Sequence, residues 1–323
     1  MYFIAIDGGG TKTDGVLFRR DGTVLSYCVG GASCPTSIGV EQAASVLTHF
    51  VINLVNEAGL SCDEIKTVYA GVAGCGIAKI GNCLSLSLKS WFPSSRNVAC
   101  GSDVTNALNC GIYSEDGMAL VCGTGSALLV RSGDKLRQIG GWGYLLGDEG
   151  SGFDLGKMAF KAALRFFDGR GEKTVLYELM SDKMMCPIQE AIDLIYSGGK
   201  RYIASFAPVL FDAIQENDTV AWQILKSGAG KLRKMLEAGC RYLDPAYRVV
   251  LVGGMWDAGD GIYQRMVFDT LDHAFVSIRP NCAPVVGAAI QALHMAGQQA
   301  DDCFISKICE ELRIRKGKIC STE

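Results

Sequence analysis

Five short segments of this 323-residue chain set glycines beside residues that can bind anions, move protons or stack on flat ligands. The first is Asp7-Gly8-Gly9-Gly10-Thr11-Lys12-Thr13, between two apolar runs. Consecutive glycines let backbone amides approach an anion closely, and a hydroxyl and an ammonium can add to that cradle. A plain tight hairpin would use the same residues. The segment matches neither the dinucleotide fingerprint nor the P-loop, because the glycine spacing differs and a strand follows where those motifs need a helix. Cys122-Gly123-Thr124-Gly125-Ser126 is a second turn of the same kind. Two such turns in one chain point to phosphate more strongly than one, with the amides from Gly8 to Lys12 and from Gly123 to Ser126 as donors.

The third segment, Gly101-Ser102-Asp103-Val104-Thr105-Asn106-Ala107, reads as a strand end entering a helix. Asp103 or Ser102 could simply cap that helix. Alternatively Asp103 is a general base. The fourth runs from Gly140 to Gly152 and places six glycines around Trp142, Tyr144, Asp148 and Glu149. An aromatic pair and paired acids suit a sugar, whose C–H faces lie on rings and whose hydroxyls donate to carboxylates. In the fifth, Val252-Gly253-Gly254-Met255, a flat base or ribose could lie against bare backbone.

Composition narrows the classes. Thirty-one Lys and Arg against 34 Asp and Glu give a net charge of −3, which argues against a partner bound by phosphate neutralisation, whether nucleic acid or anionic membrane. The chain opens on Tyr2-Phe3-Ile4-Ala5-Ile6 without a basic leader, and no apolar run nears the roughly 20 residues of a membrane span, so a cytoplasmic location is expected. Fourteen cysteines form no CxxC pair, and three histidines (His49, His273, His294) show no zinc-site spacing. Thiols such as Cys100 and Cys122 sit in apolar runs and read as small buried hydrophobes rather than a disulfide framework. So few histidines also disfavour a Ser-His-Asp or Cys-His nucleophile.

The elements that must hold these segments alternate between β-branched runs and helical periodicity, which signals an α/β fold. Strands are expected at 2–6, 15–18 and 23–29, then at 67–72 and 97–100, with an amphipathic helix over 40–58. A second beginning follows at 118, where strand, glycine turn and strand recur, and suggests two similar domains. Helices are expected at 154–167, 218–242 and 285–297, with a further strand at 248–252. Gly228 and Gly230 lie inside the long helix at a cost of about 1 kcal/mol each against alanine, so something must pack closely there. The stretch 301–323 reads as a polar tail, a solvated helix or a frayed end.

In this order the segments resemble the N-acetylglucosamine kinase group of the BadF/BadG/BcrA/BcrD ATPase family, within the actin-like sugar-kinase superfamily, from about residue 3 to 297. The Gly140–Gly152 segment is the most specific match. The resemblance implies two actin-like (ribonuclease H-like) domains with an interdomain cleft: 1–113 on the sugar side, joined by the last helix at about 285–300, and 114–284 on the nucleotide side. It implies a kinase that phosphorylates the primary hydroxyl of an amino sugar (N-acetylglucosamine, N-acetylmuramic acid or glucosamine), using ATP and Mg2+, as a homodimer. Carried over by position, Gly9, Gly10, Thr11, Lys12, Gly123, Thr124, Gly125, Gly228, Gly253 and Gly254 would bind ATP. Asp7 would face the Mg2+ ion through water, and Asp103 would be the base, ionised by the helix N-terminus beside it. Gly141, Trp142 and Asp148 would hold the sugar together with Cys34, which stands where relatives usually carry an asparagine. A thiol is a weak donor there, and Ser33 or Thr36 are the candidate substitutes. A second class in the superfamily activates acyl-CoA dehydratases or reductases through an iron–sulfur cluster. The cysteine count keeps that class open, while the scattered cysteines and the Gly140–Gly152 segment argue against it.

Overall fold

The computed structural model describes residues 1–76, 78–95, 97–271 and 275–319. His273 and the last four residues of the expected tail lie outside the described residues. The chain divides into two units, Met1–Glu115 with the segment from Pro280 onward, and Asp116–Arg279.

The first unit begins with β1 (Tyr2–Gly8), β2 (Thr13–Arg19) and β3 (Val24–Gly30), a meander whose short turns force antiparallel pairing. Helices α1 (Pro35–Ile38) and α2 (Val40–Glu57) lead to β4 (Ile65–Val72), then α3 (Ala78–Lys89), β5 (Asn97–Gly101) and α4 (Asp103–Ile112). Crossing over through helices makes β4 parallel to β1 and β5 parallel to β4, in the order β3-β2-β1-β4-β5. Side chains alternate across the sheet and both faces are covered, which explains why β1 is apolar from Tyr2 to Ile6. Ile4 and Ile6 join Leu17 and the α2 stripe Ala43, Leu47, Val51 and Leu54 on one face. On the other, Phe3 and Ala5 join Val16 and Phe18.

The second unit repeats the plan. It contains β6 (Gly117–Cys122), β7 (Ser126–Ser132), β8 (Lys135–Ile139), α5 (Gly152–Phe167), α6 (Leu176–Met184), α7 (Ile192–Ala204), α8 (Val209–Gln215), α9 (Thr219–Cys240), β9 (Tyr247–Val252), α10 (Ile262–Phe268) and β10 (Phe275–Ile278). Read from β8, the order β8-β7-β6-β9-β10 has the same pairing sense as the first sheet. Asp218 starts α9 by accepting from the Ala221 amide at 2.8 Å.

The chain then returns to the first unit with α11 (Pro284–Met295) and α12 (Asp302–Ile319). These two helices cover the Phe3–Phe18 face. The stretch from 301 forms the helix that was one of its two expected states, but the reading of it as solvated is corrected here. Phe304, Ile305, Ile308 and Leu312 are buried at helical spacing, a stripe too narrow to show in a polar composition. Lys307 pairs with Asp21 at 2.7 Å, and Arg315 donates to the Val24 carbonyl at 2.7 Å. All described cysteines are free. Among the described residues no helix is long and apolar enough to cross a membrane.

Candidate active site

In the first unit the turn from Gly9 to Lys12 closes on a hydrogen bond from the Gly9 amide to the Lys12 carbonyl, 2.8 Å. The Gly9 carbonyl accepts from the amides of Ser33 and Cys34 at 3.1 and 3.2 Å, and the Gly8 carbonyl from Ala73 at 2.8 Å. The turn is therefore braced by two neighbouring loops. The Gly9 amide is engaged within the turn, which corrects the expectation that every amide here is a phosphate donor. Those of Gly10, Thr11 and Lys12 have no backbone partner among the described residues, and these three residues are exposed. Lys12 Nζ pairs with Asp14 at 2.9 Å. Burial pushes Asp14 up, but hydrogen bonds from Tyr27 and Lys12 outweigh it and hold the carboxyl below its usual range.

Asp7, at the end of β1, accepts from Asn106 Nδ2 at 2.7 Å. Asn106 lies one turn into α4 and also donates to the Gly71 carbonyl at 3.2 Å. Gly71 is required there, because a Cβ would lie 2.0 Å from Asn106 Oδ1. That Oδ1 is buried with no partner among the described residues. Burial pushes the Asp7 carboxyl up to about 6; the Asn106 bond opposes this, and repulsion from Asp103 and Asp14 adds to it.

The structure separates the two roles left open for Ser102 and Asp103. Ser102 is the cap: its hydroxyl accepts from the Val104 amide at 3.2 Å. Asp103 is the first residue of the helix and carries no cap. Its pKa is raised, chiefly by burial, against the pull of the Ser102 hydroxyl and the Val104 and Asp103 amides. Desolvation thus outweighs the helix N-terminus and the local hydrogen bonds at this carboxyl. A carboxylate of raised pKa is a better proton acceptor near neutrality.

Cys34 precedes α1 and is buried, with Sγ 3.1 Å from Thr36 Oγ1. Burial raises its thiol pKa, yet hydrogen bonds from Thr36 and Ser37 bring it below the ordinary value. Ser33 does not substitute for it. It is wholly buried and accepts from the Thr13 hydroxyl at 2.8 Å.

In the second unit the Gly123 amide donates to the Gly125 carbonyl at 2.9 Å, so this turn too is closed internally. The start of α5 clamps it from behind: Gly152 donates to the Gly123 carbonyl at 2.8 Å and Phe153 to that of Thr124 at 3.3 Å. Asp148 is buried beneath the turn. It accepts from the Ser126 amide at 3.4 Å through Oδ1 and pairs through Oδ2 with Lys200 at 2.5 Å. The Ser126 amide is therefore also unavailable to phosphate. Gly125 admits this carboxylate, since a Cβ would meet Asp148 Oδ1 at 2.9 Å. Gly141 packs on Ala127, Trp142 is 67% exposed, and Tyr144 sets its ring edge to Phe153 at 5.3 Å.

A cavity of about 360 Å³ gathers Gly123, Thr124 and Gly254 with Met255, Arg201 and Ala204. Gly253 stands beside it at φ 104°, with the Cys122 carbonyl 2.4 Å from where a Cβ would be. Arg201 and Ala204 were missed by sequence reasoning. They come from the end of α7, just past its Gly198-Gly199 break, and neither residue type there pointed to a ligand. Gly228 is not part of this cavity. Tyr263 Oη and Leu155 Cδ2 fill its Cβ position at 2.6 and 2.7 Å, so close helix packing accounts for it. Among the described residues no three His, Cys, Asp or Glu side chains are grouped to hold a metal. Mg2+ asks less of a protein, one or two carboxylates with waters and phosphates completing the shell. Asp7, repelled by two other acids, has the chemistry for that.

Residues 4–292 match the family model of the BadF/BadG/BcrA/BcrD ATPases. The chain is 33% identical over 235 residues to an N-acetylmuramic acid/N-acetylglucosamine kinase of Clostridium acetobutylicum, covering 72% of this chain and 76% of that protein. It is 28% identical over 315 residues to an N-acetyl-D-glucosamine kinase of Dictyostelium discoideum, covering 90% and 98%. A solved Chromobacterium violaceum chain, put forward as an N-acetylglucosamine kinase, superposes with a TM-score of 0.67 at 24% identity, covering 89% of this chain and 97% of that one. The α/β fold of two actin-like domains stands with this likeness.

Proposed function

The chain belongs to the BadF/BadG/BcrA/BcrD ATPase family, and from that membership we propose that it is an ATP-dependent kinase that phosphorylates the primary hydroxyl of an amino sugar. The kinase relatives support the reaction and the substrate class. The observation that carries the chemistry is Asp103, a half-buried acid at a helix start whose cap is supplied by Ser102, leaving the carboxylate available as a base. In the reaction the sugar oxygen bonds to the γ-phosphorus as the bond to the bridging oxygen breaks, ADP leaves, and Asp103 takes the hydroxyl proton. The remaining work is positioning. Thr11 and Thr124, with the open amides of Gly10, Thr11 and Lys12, would bind phosphates, and Gly253 and Gly254 would lie along the nucleoside. Asp7 would hold Mg2+ through water, and the ion supplies charge neutralisation on the phosphates. Gly141, Trp142 and Asp148 of the second unit and Cys34 of the first are the residues we assign to the sugar. A homodimer in the cytoplasm belongs to the same reading and rests on the family resemblance.

The test is ADP release with N-acetylglucosamine, N-acetylmuramic acid, glucosamine and glucose, with phosphorus NMR locating the product phosphate. Turnover with at least one amino sugar, faster than with glucose and phosphorylated at the primary hydroxyl, is expected. ADP release indifferent to every amino sugar would reject the proposal.

A further inference from the structure

A larger cavity, about 510 Å³, opens in the second unit between α5 and α7. That volume lies within the range of small-molecule sites. Its floor is apolar, formed by Phe153, Phe160, Leu164 and Ile195, with Tyr144 and Tyr196 toward the mouth. Every charged residue that lines it is a lysine: Lys157, Lys161 and Lys200. Lys157 and Lys161 are one helical turn apart on α5, a like-charge pair that weakens a helix unless something between them is anionic. Neither is well neutralised. Lys157 approaches Asp154 only at 3.9 Å, and that carboxylate already pairs with Lys231 at 2.8 Å. Lys157 instead stands over the Phe153 ring at 5.2 Å. Lys161 is exposed and has no partner among the described residues. Opposite them α7 breaks at Gly199 (φ 60°, ψ −153°), beside Lys200.

We propose that this cavity binds an organic anion with an apolar body, its rings or branches on the phenylalanine floor and its acidic group between Lys157 and Lys161. Apolar area gives such a ligand its affinity, and two under-neutralised ammonium groups select the charged member of a pair of otherwise equal molecules. The site is separate from the 360 Å³ cavity and does not depend on the kinase reading.

The purified full chain is titrated with 1-anilinonaphthalene-8-sulfonate and with N-phenyl-1-naphthylamine, which has the same rings and no charge. One sulfonate probe per chain is expected, with the neutral probe at least about tenfold weaker. The surface double variant Lys157→Gln/Lys161→Gln should weaken the sulfonate by about tenfold and leave the neutral probe unchanged. Ile195→Trp, which fills the floor, should lose both, with circular dichroism checking its fold. Absence of sulfonate binding, equal affinity for the two probes, indifference to the lysine variants, or displacement by ATP would each overturn the assignment.

Discussion

Replacing Asp7 by asparagine removes a carboxyl that the fold holds at a pKa of about 6 against an ordinary 3.8. Burial dominates that rise, so ionised Asp7 is a burden on the folded state that the unfolded chain does not carry. The difference is a little over two powers of ten in proton affinity, each worth about 1.4 kcal/mol. At pH 8 the ionised group therefore costs the fold up to about 3 kcal/mol, and about 2 once partial solvent contact is allowed for. The sign follows from the raised value: the stabilising contribution of this group is complete below 3.8 and is lost as pH rises through about 6. Asparagine can keep the bond from Asn106, because its own carbonyl accepts it. Without nucleotide, Asp7→Asn should be about 2 kcal/mol more stable than the wild type in urea unfolding at pH 8. The gap should shrink toward zero at pH 4. With Mg-ATP present the order should narrow or reverse, since a bound cation stabilises only the carboxylate form. A variant less stable at pH 8, or a gap equal at both pH values, would refute burial as the cause.

Asp103→Asn should fold normally and lose at least roughly a hundredfold in kcat, while Ser102→Ala should lose about 1 kcal/mol of stability and keep its turnover. Because the pKa of Asp103 is raised, wild-type kcat should fall with acidification already above the ordinary aspartate range, and a flat acid limb in the rate profile would count against the base. Thr124→Val should weaken ATP binding by calorimetry, and unchanged affinity would remove that hydroxyl from the site. Asp148→Asn breaks the pair with Lys200 and should raise the sugar KM with ATP affinity nearly intact; loss of ATP binding instead would make Asp148 a brace of the Gly123–Gly125 turn. Gly71→Ala should displace the Asn106 amide and lower the melting temperature by several degrees, measured by differential scanning fluorimetry.

The parts of the site that were legible in the sequence are those built from consecutive residues. Both glycine turns lie between β-branched runs, and the strand–turn–strand pattern is local, so their repetition was visible at 2–18 and 118–130. Asp103 was visible because a strand and a helix meet there. What stayed hidden depends on distant partners. Asn106 is an ordinary helix residue until β1 and β4 bring Asp7 and Gly71 within its reach. Arg201 and Ala204 enter a cavity with Gly123 only because α5 and α7 pack together. Close packing at Gly228 was legible from a glycine inside a helix, but its partners Tyr263 and Leu155 were not, and the resemblance made it a ligand glycine instead. The buried stripe of α12 failed for a different reason, since four apolar positions among many charges leave the average polar.

The return of α11 and α12 to the first unit also bears on the order in which the protein is made. The second unit is one continuous stretch, 116–279, and all of its strands and helices are available once that stretch has been synthesised. The first unit is begun earliest and completed last. Until α11 and α12 arrive, the sheet face carrying Phe3, Ala5, Val16 and Phe18 has nothing to cover it. A nascent chain therefore holds an apolar surface open for most of its synthesis, the condition under which unfinished domains aggregate or recruit chaperones. Translation arrest before residue 284 would yield a product with one finished unit and one adhesive one.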